Sequence, residues 1–311
     1  MTITTQEEIN ACIRDGCIDT VIQVTEARQV KRLSQIADTI CARANTRLVL
    51  VAGASSAGKT TTAKRICTQL MVNDRDVQML STDDYFVGEK LNPRDENGEP
   101  DYEHVKCVDL PRLALDINAL FRGEPIPHRK FDFINHAPTL CGDFLKLPPN
   151  GIVVLEGIHA LNPLLTEGIA DELKFRLFVE PQPEIDVFGG FTPTSADARF
   201  LRRLVRDNQF RRLSPLDTLH IWPKVRAGEA KWIEPFRHLA NAEFNSYLAY
   251  ELSALRYFVA GLLEKARREL GDDRFILNMI ELVNLASPLD PNNIPGNSIL
   301  RETIGGSQLG Y

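Results

Sequence analysis

Residues Leu48 to Leu70 read LVLVAGASSAGKTTTAKRICTQL, a stretch that narrows the choice of fold more than any other in the chain. Gly53-x-x-x-x-Gly58-Lys59-Thr60 completes the phosphate-binding loop pattern G-x(4)-G-K-[ST]. The apolar run Leu48-Val49-Leu50-Val51 before it suits a buried parallel strand. After it, Ala63, Ile66, Cys67 and Leu70 recur at the spacing of one helix face. Strand, glycine loop and helix together let the backbone N–H groups of Gly53, Ala54, Ser55, Ser56, Ala57, Gly58, Lys59, Thr60 and Thr61 gather around a phosphate chain at the positive end of the helix. Gly53 and Gly58 supply backbone angles that side chains disfavour. Lys59 is placed to reach the outer phosphates of ATP or another NTP, and Thr60 to offer its hydroxyl to Mg²⁺.

Such a loop belongs to an α/β fold with a doubly wound, mostly parallel sheet and helices on both faces. Further strands fit that frame. Asp76 to Ser81 is one, and it runs into Thr82-Asp83-Asp84-Tyr85-Phe86. Ile152 to Leu155 is another and ends in Glu156-Gly157, and Phe175 to Val179 is a third. Carboxylates at the carboxyl ends of such strands point into the crevice where ligands bind. Asp83 and Asp84 are therefore candidates to orient or deprotonate a hydroxyl, and Asp83, Glu156 and Thr60 to hold Mg²⁺.

The pattern divides the chain into a helical extension over 1–45, a kinase domain over 46–285 and a tail of little periodicity over 286–311. Within the domain, about 87–145 reads as a substrate-binding insertion: turn formers, Tyr102-Glu103-His104, a helix from Leu110 to Phe121, then a hairpin carrying Phe131, Phe133 and His136. Residues 196–214 carry six arginines, Arg199, Arg202, Arg203, Arg206, Arg211 and Arg212. In a chain of net charge −6, that concentration suits a lid closing on phosphate. A long helix is expected from Asn241 through Leu263. The acidic balance speaks against nucleic acid or an anionic membrane as partner. The six scattered cysteines form no C-x-x-C pair and read as reduced thiols. The opening residues lack the pattern of a secretory signal, and no apolar run approaches a membrane span, so a cytoplasmic protein is expected.

These residues together resemble the uridine kinase and phosphoribulokinase group of P-loop NTPases. The nearest likeness is to a bacterial branch of uridine kinase-like nucleoside kinases, carried also by Trp222-Pro223-Lys224-Val225-Arg226-Ala227-Gly228-Glu229, Phe244-Asn245-Ser246 and the tail Ser298-Ile299-Leu300-Arg301-Glu302-Thr303-Ile304-Gly305-Gly306-Ser307. The resemblance implies transfer of the γ-phosphate of ATP, or of another NTP such as GTP, to the 5′-hydroxyl of a nucleoside, uridine or cytidine first. It implies Asp83 as base and Mg²⁺ neighbour, with Asp84 and Tyr85 beside the acceptor. Tyr102 and Glu103 become an aromatic–acid pair on the ribose, and Phe131 and His136 readers of the base. Lys59, Arg206 and Arg211 stabilise the transferring group, and Arg203 contacts the ribose. The family usually carries tyrosine at the position of Phe131, so one hydrogen bond to the base edge is lost, worth ~1 kcal/mol of discrimination. A homo-oligomer is implied as well. Two other readings stay open on the residues alone: a phosphoribulokinase- or pantothenate-kinase-like acceptor, and a nucleotide-binding regulator without turnover.

Overall fold

Strand β1, Leu48–Ala52, is buried along its whole length and is the middle strand of a five-stranded sheet. The computed structural model describes residues 3–96, 98–132, 135, 137–187 and 192–309. In chain order the elements are α1 (Gln6–Arg14), α2 (Ile18–Ala42), β1, α3 (Lys59–Val72), β2 (Val77–Ser81), α4 (Leu110–Phe121), β3 (Ile126–Asp132), β4 (Ala137–Leu145), β5 (Ile152–Glu156), β6 (Lys174–Glu180), α5 (Ser195–Phe210), α6 (Pro215–Trp232), β7 (Ala242–Asn245), α7 (Glu251–Leu270), α8 (Arg274–Asn284) and α9 (Arg301–Ile304).

The main sheet runs β2-β5-β1-β6-β7, and every neighbouring pair in it is parallel. Side chains of a strand alternate between faces, so β1 splits its residues between two cores. Val49 and Val51 join Ile66 and Leu70 of α3, Leu33 of α2 and Leu204 of α5. Leu48, Leu50 and Ala52 join Leu113, Ile117 and Leu120 of α4. Helices thus cover both faces, as a doubly wound sheet requires. From β1 the chain reaches β2 on one side and later β6 on the other. The loop after β1 therefore opens at the point where the winding reverses, the usual place for a ligand.

Both chain ends, residues 3–42 and 286–309, pack against the rest of the chain. Ile9, Ile22, Leu33, Ile294, Leu300 and Ile304 belong to the same core as β1. Gln6 donates to Ser253 Oγ at 2.9 Å, and Asn10 to the Leu285 carbonyl at 2.8 Å. The expected long helix from Asn241 splits in two: 242–245 is the edge strand β7, paired with β6, and the helix starts only at Glu251. Phe244 and Leu248, four residues apart, imitate helix spacing, but Asn245 closes the strand by holding Gln182 and Tyr247. β3 and β4 form a separate antiparallel hairpin, the one that the aromatic-rich segment after Pro127 suggests.

Candidate active site

The phosphate loop is held open by its neighbours. A Cβ on Gly53 would lie 2.2 Å from the Val179 carbonyl oxygen, and one on Gly58, at φ +84°, would lie 2.5 Å from Ile299. Both approaches need glycine. Lys59 is buried and donates to the Ala54 carbonyl at 3.1 Å, which lays its side chain back along the loop. Two loop carbonyls are drawn away from the phosphate side. Ser246 Oγ donates to the Ala57 carbonyl at 2.6 Å, and Arg202 Nη1 to the Ser56 carbonyl at 3.4 Å. Arg202 makes bidentate bonds to Glu251 at 2.6 and 2.7 Å and also donates to the Ser246 carbonyl. All three residues are 2% exposed or less. Sequence reasoning places Arg202 on an outer face with the other arginines and leaves out Ser246 and Glu251. Nothing local in the sequence marks a residue whose partner is some 50 positions away.

Carboxylates gather beyond Lys59. Ser81, last in β2, donates to Glu156, last in β5, at 2.6 Å, because the two strands pair in register there. Burial, and then the nearby charge of Asp83, push the Glu156 carboxyl up to about 7. Lys59 acts in the opposite sense on both Glu156 and Glu103, so all four groups share one electrostatic neighbourhood. Asp84 pairs with Lys130 of the hairpin at 3.2 Å, which ties the hairpin to the end of β2. Tyr102 is exposed. Phe131 is buried and meets Phe86 edge-on at 5.6 Å. His136 and Phe133 lie outside the described residues.

Tyr85 is turned into the protein. It is 4% exposed, and its hydroxyl donates to Asp116 Oδ2 at 3.1 Å, an oxygen that Arg129 also holds at 3.0 Å. It faces α4, because the 3-10 turn over Thr82–Tyr85 sends successive side chains to different sides. His159 carries no local signal that sequence reasoning could use. Burial holds its ring neutral, with the pKa pushed down to about 4, and Glu103 lies beside it.

The half-buried Glu103 makes a test of its own. Burial pushes its carboxyl up to about 7, against the lowering effect of Arg203 and Lys59. The folded chain then keeps a proton that the unfolded chain releases near 4.5. The stability this gives is full at low pH and is lost as pH rises through 7. Thermal melts of the ligand-free protein are expected to show Glu103→Gln more stable than the parent at pH 8 by roughly 2–3 kcal/mol, with the gap closing by pH 5. A gap that does not vary with pH removes the raised carboxyl.

The arginines of α5 divide into two groups. Arg199 is 1% exposed and bonds to Glu229 at 2.7 and 2.9 Å. With Arg202 it sits inside the fold, so α5 is core over its first turns and not a solvated face. Burying these charges is tolerable because each meets a carboxylate with good geometry. Arg203, Arg206 and Arg211 instead converge on one aspartate, Asp207, which is fully buried, at 3.0, 2.8 and 3.8 Å. Arg203 also donates to Ser55 Oγ of the loop at 2.9 Å. The pKa of Arg211 is lowered, first by the adjacent Arg206 cation, while the charge of Asp83 acts to raise it. Asp207 thus gathers three cations at the loop and near Asp83.

The donor set suits a Mg²⁺–triphosphate. Thr60, Asp83 and Glu156 offer hard oxygens, and a divalent cation would neutralise the mutual repulsion that raises Glu156. The helix end has a stand-in anion as well: the carboxylate of Glu302 accepts from Thr61 N at 3.2 Å and from Thr61 Oγ1 at 2.7 Å. A separate cavity of about 480 Å³, lined by Arg28, Gln29, Arg237 and Tyr247 among others, shares no residue with the loop. Among the described residues, no helix is long and apolar enough to cross a membrane.

Comparison with known proteins agrees with this geometry. The chain is 30% identical over 192 residues to a uridine kinase of Deinococcus deserti, a match that covers 61% of this chain and 83% of that protein. It is 29% identical over 196 residues to a uridine kinase of Lactobacillus helveticus, covering 62% and 83%. A family model described as "Phosphoribulokinase / Uridine kinase family" matches residues 48–249, from the first residue of β1 to just before α7. The chain, a P-loop kinase by its loop and its relatives, belongs to the phosphoribulokinase / uridine kinase family.

Proposed function

We propose that the protein is a nucleoside kinase. It transfers the γ-phosphate of ATP, or of another NTP, to the 5′-hydroxyl of a nucleoside, with uridine and cytidine the first candidates. The observation that carries this reading is the gathering of Lys59, Asp83, Glu103 and the Asp207-anchored arginines around one phosphate loop. The names of the relatives from Deinococcus deserti, Lactobacillus helveticus and Staphylococcus haemolyticus, all uridine kinases, support the acceptor class. Thr60, Asp83 and Glu156 would hold Mg²⁺, which supplies charge neutralisation on the phosphate oxygens. Asp83 orients the acceptor hydroxyl and takes its proton. Lys59, Arg206 and Arg211 stabilise negative charge on the group in flight. Glu103, with Tyr102 beside it, accepts hydrogen bonds from the ribose hydroxyls, Arg203 closes that side, and Asp84 holds the hairpin through Lys130. Phe131 packs against the base without bonding its edge, and His136 is assigned to that edge by resemblance.

In this reading the ribose is read more strictly than the base. Loss of the 2′-hydroxyl leaves a half-buried carboxylate short of a partner, at ~1–3 kcal/mol. The test is kcat/KM for uridine, cytidine and 2′-deoxyuridine with one donor, beside a sugar phosphate and pantothenate. 2′-Deoxyuridine is expected to fall ~5- to 150-fold below uridine, and cytidine less. Efficient use of 2′-deoxyuridine together with strong rejection of cytidine overturns the role of Glu103. Turnover confined to the sugar phosphate or pantothenate overturns the nucleoside reading.

A further inference from the structure

The tail leads back onto the phosphate loop. Tyr250 holds Ser298 at 3.2 Å and also donates to Glu26 at 2.7 Å, which pairs in turn with Arg65 of α3 at 3.0 Å. Ile299 lies over Gly58. Leu300, Thr303 and Ile304 are buried, and Lys64 of α3 reaches the Leu309 carbonyl at 3.3 Å. Between these anchors, Glu302 puts a carboxylate oxygen on the N–H and hydroxyl of Thr61. Thr61 is the third residue of α3, so its N–H lies in the first turn of the helix, where backbone N–H groups attract anions. The lysine and threonine of the loop motif precede it directly, so a phosphate chain running from Lys59 toward the rest of a nucleotide meets this donor next.

We propose that residues 298–306 form a strap that competes with the phosphate donor, Glu302 being the internal anion that the donor has to displace from Thr61. The inference rests on the phosphate-loop reading and not on the choice of acceptor. A triphosphate and the Glu302 carboxylate cannot share one N–H, and their like charges repel at that distance. The strap therefore opens, wholly or at Glu302, when donor binds. Apparent donor affinity is reduced by the fraction of time that Thr61 is covered. The acceptor side, with Glu103 and the hairpin, is not touched by this competition.

Glu302→Gln keeps the shape and removes the charge. It is expected to lower both the Kd of Mg·ATP, by calorimetry, and the KM for ATP by about fivefold or more, with the KM for nucleoside unchanged. Hydrogen exchange on the parent protein supplies a second readout that needs no variant: amides of 298–306 are expected to exchange faster with ATP bound than without. Unchanged or weaker ATP binding in Glu302→Gln, or stronger protection of 298–306 with ATP, overturns the strap and makes Glu302 a supporting part of the donor site. If neither protein binds ATP, the phosphate-loop reading falls and takes the strap with it. If ATP binding tightens while no nucleoside is phosphorylated, the strap stands and the acceptor assignment falls.

Discussion

Lys59→Ala is expected to lower phosphoryl transfer at least ~100-fold, because the role proposed for Lys59 is to place a positive charge against the transferring group. The fold should survive. Lys59 makes its one described hydrogen bond to a loop carbonyl, and it forms no direct ion pair among the described residues. Steady-state turnover alongside a thermal melt separates the two effects. An unchanged melt with near-normal turnover removes the assignment of the loop as a catalytic phosphate site, whatever the acceptor is.

The second large effect falls on stability. Arg202→Ala leaves Glu251 at 1% exposure without the guanidinium that neutralises it. Breaking a buried pair from one side costs about 3–5 kcal/mol. Urea unfolding should show that loss, and Glu251→Ala should show one of similar size. The double variant Arg202→Met, Glu251→Met buries no charge and is expected to recover most of it. It should not recover donor binding, because the Ser56 carbonyl then lacks the Arg202 guanidinium that holds it. A double variant as poor in stability as either single one refutes the stranded-charge account.

The sequence is informative where one physical cause acts over a short stretch. The phosphate loop is legible because its glycines, lysine and flanking strand and helix all lie within residues 48–70. β5 is legible for a related reason: a strand buried on both faces must be continuously apolar. Helix α4 announces itself through the Asp109 cap, which does accept from Arg112 N at 3.0 Å. The failures have a common origin in partners distant along the chain. Six arginines over residues 199–212 look like a solvated or phosphate-facing surface until Glu229 and Glu251 are known to lie against two of them. Asp207 looks like one charge among many, yet it gathers three cations. The tail lacks periodicity because it packs as a fitted segment, with single apolar residues placed by turns. Tyr85 shares a turn with Asp83 but points the other way, which residue order alone does not reveal.

The arrangement of the main sheet bears on how the molecule is made. Each of its strand pairs is parallel, and even the consecutive strands β6 and β7 are separated by α5 and α6, so no pair forms from a local turn. The fold is then closed by contacts that bridge most of the chain: Gln6 to Ser253, Asn10 to Leu285 and Thr61 to Glu302. Closing such large loops costs entropy before any contact rewards it, which slows folding and prolongs exposure of unpaired strand edges. During synthesis the nucleotide loop is among the early segments to emerge, while the residues that brace it from behind, Ser246, Glu251 and Ile299, emerge much later. Anion capture by this loop is thus a property of the nearly finished chain, and a nascent fragment ending before β7 lacks Ser246, Glu251 and Ile299 alike.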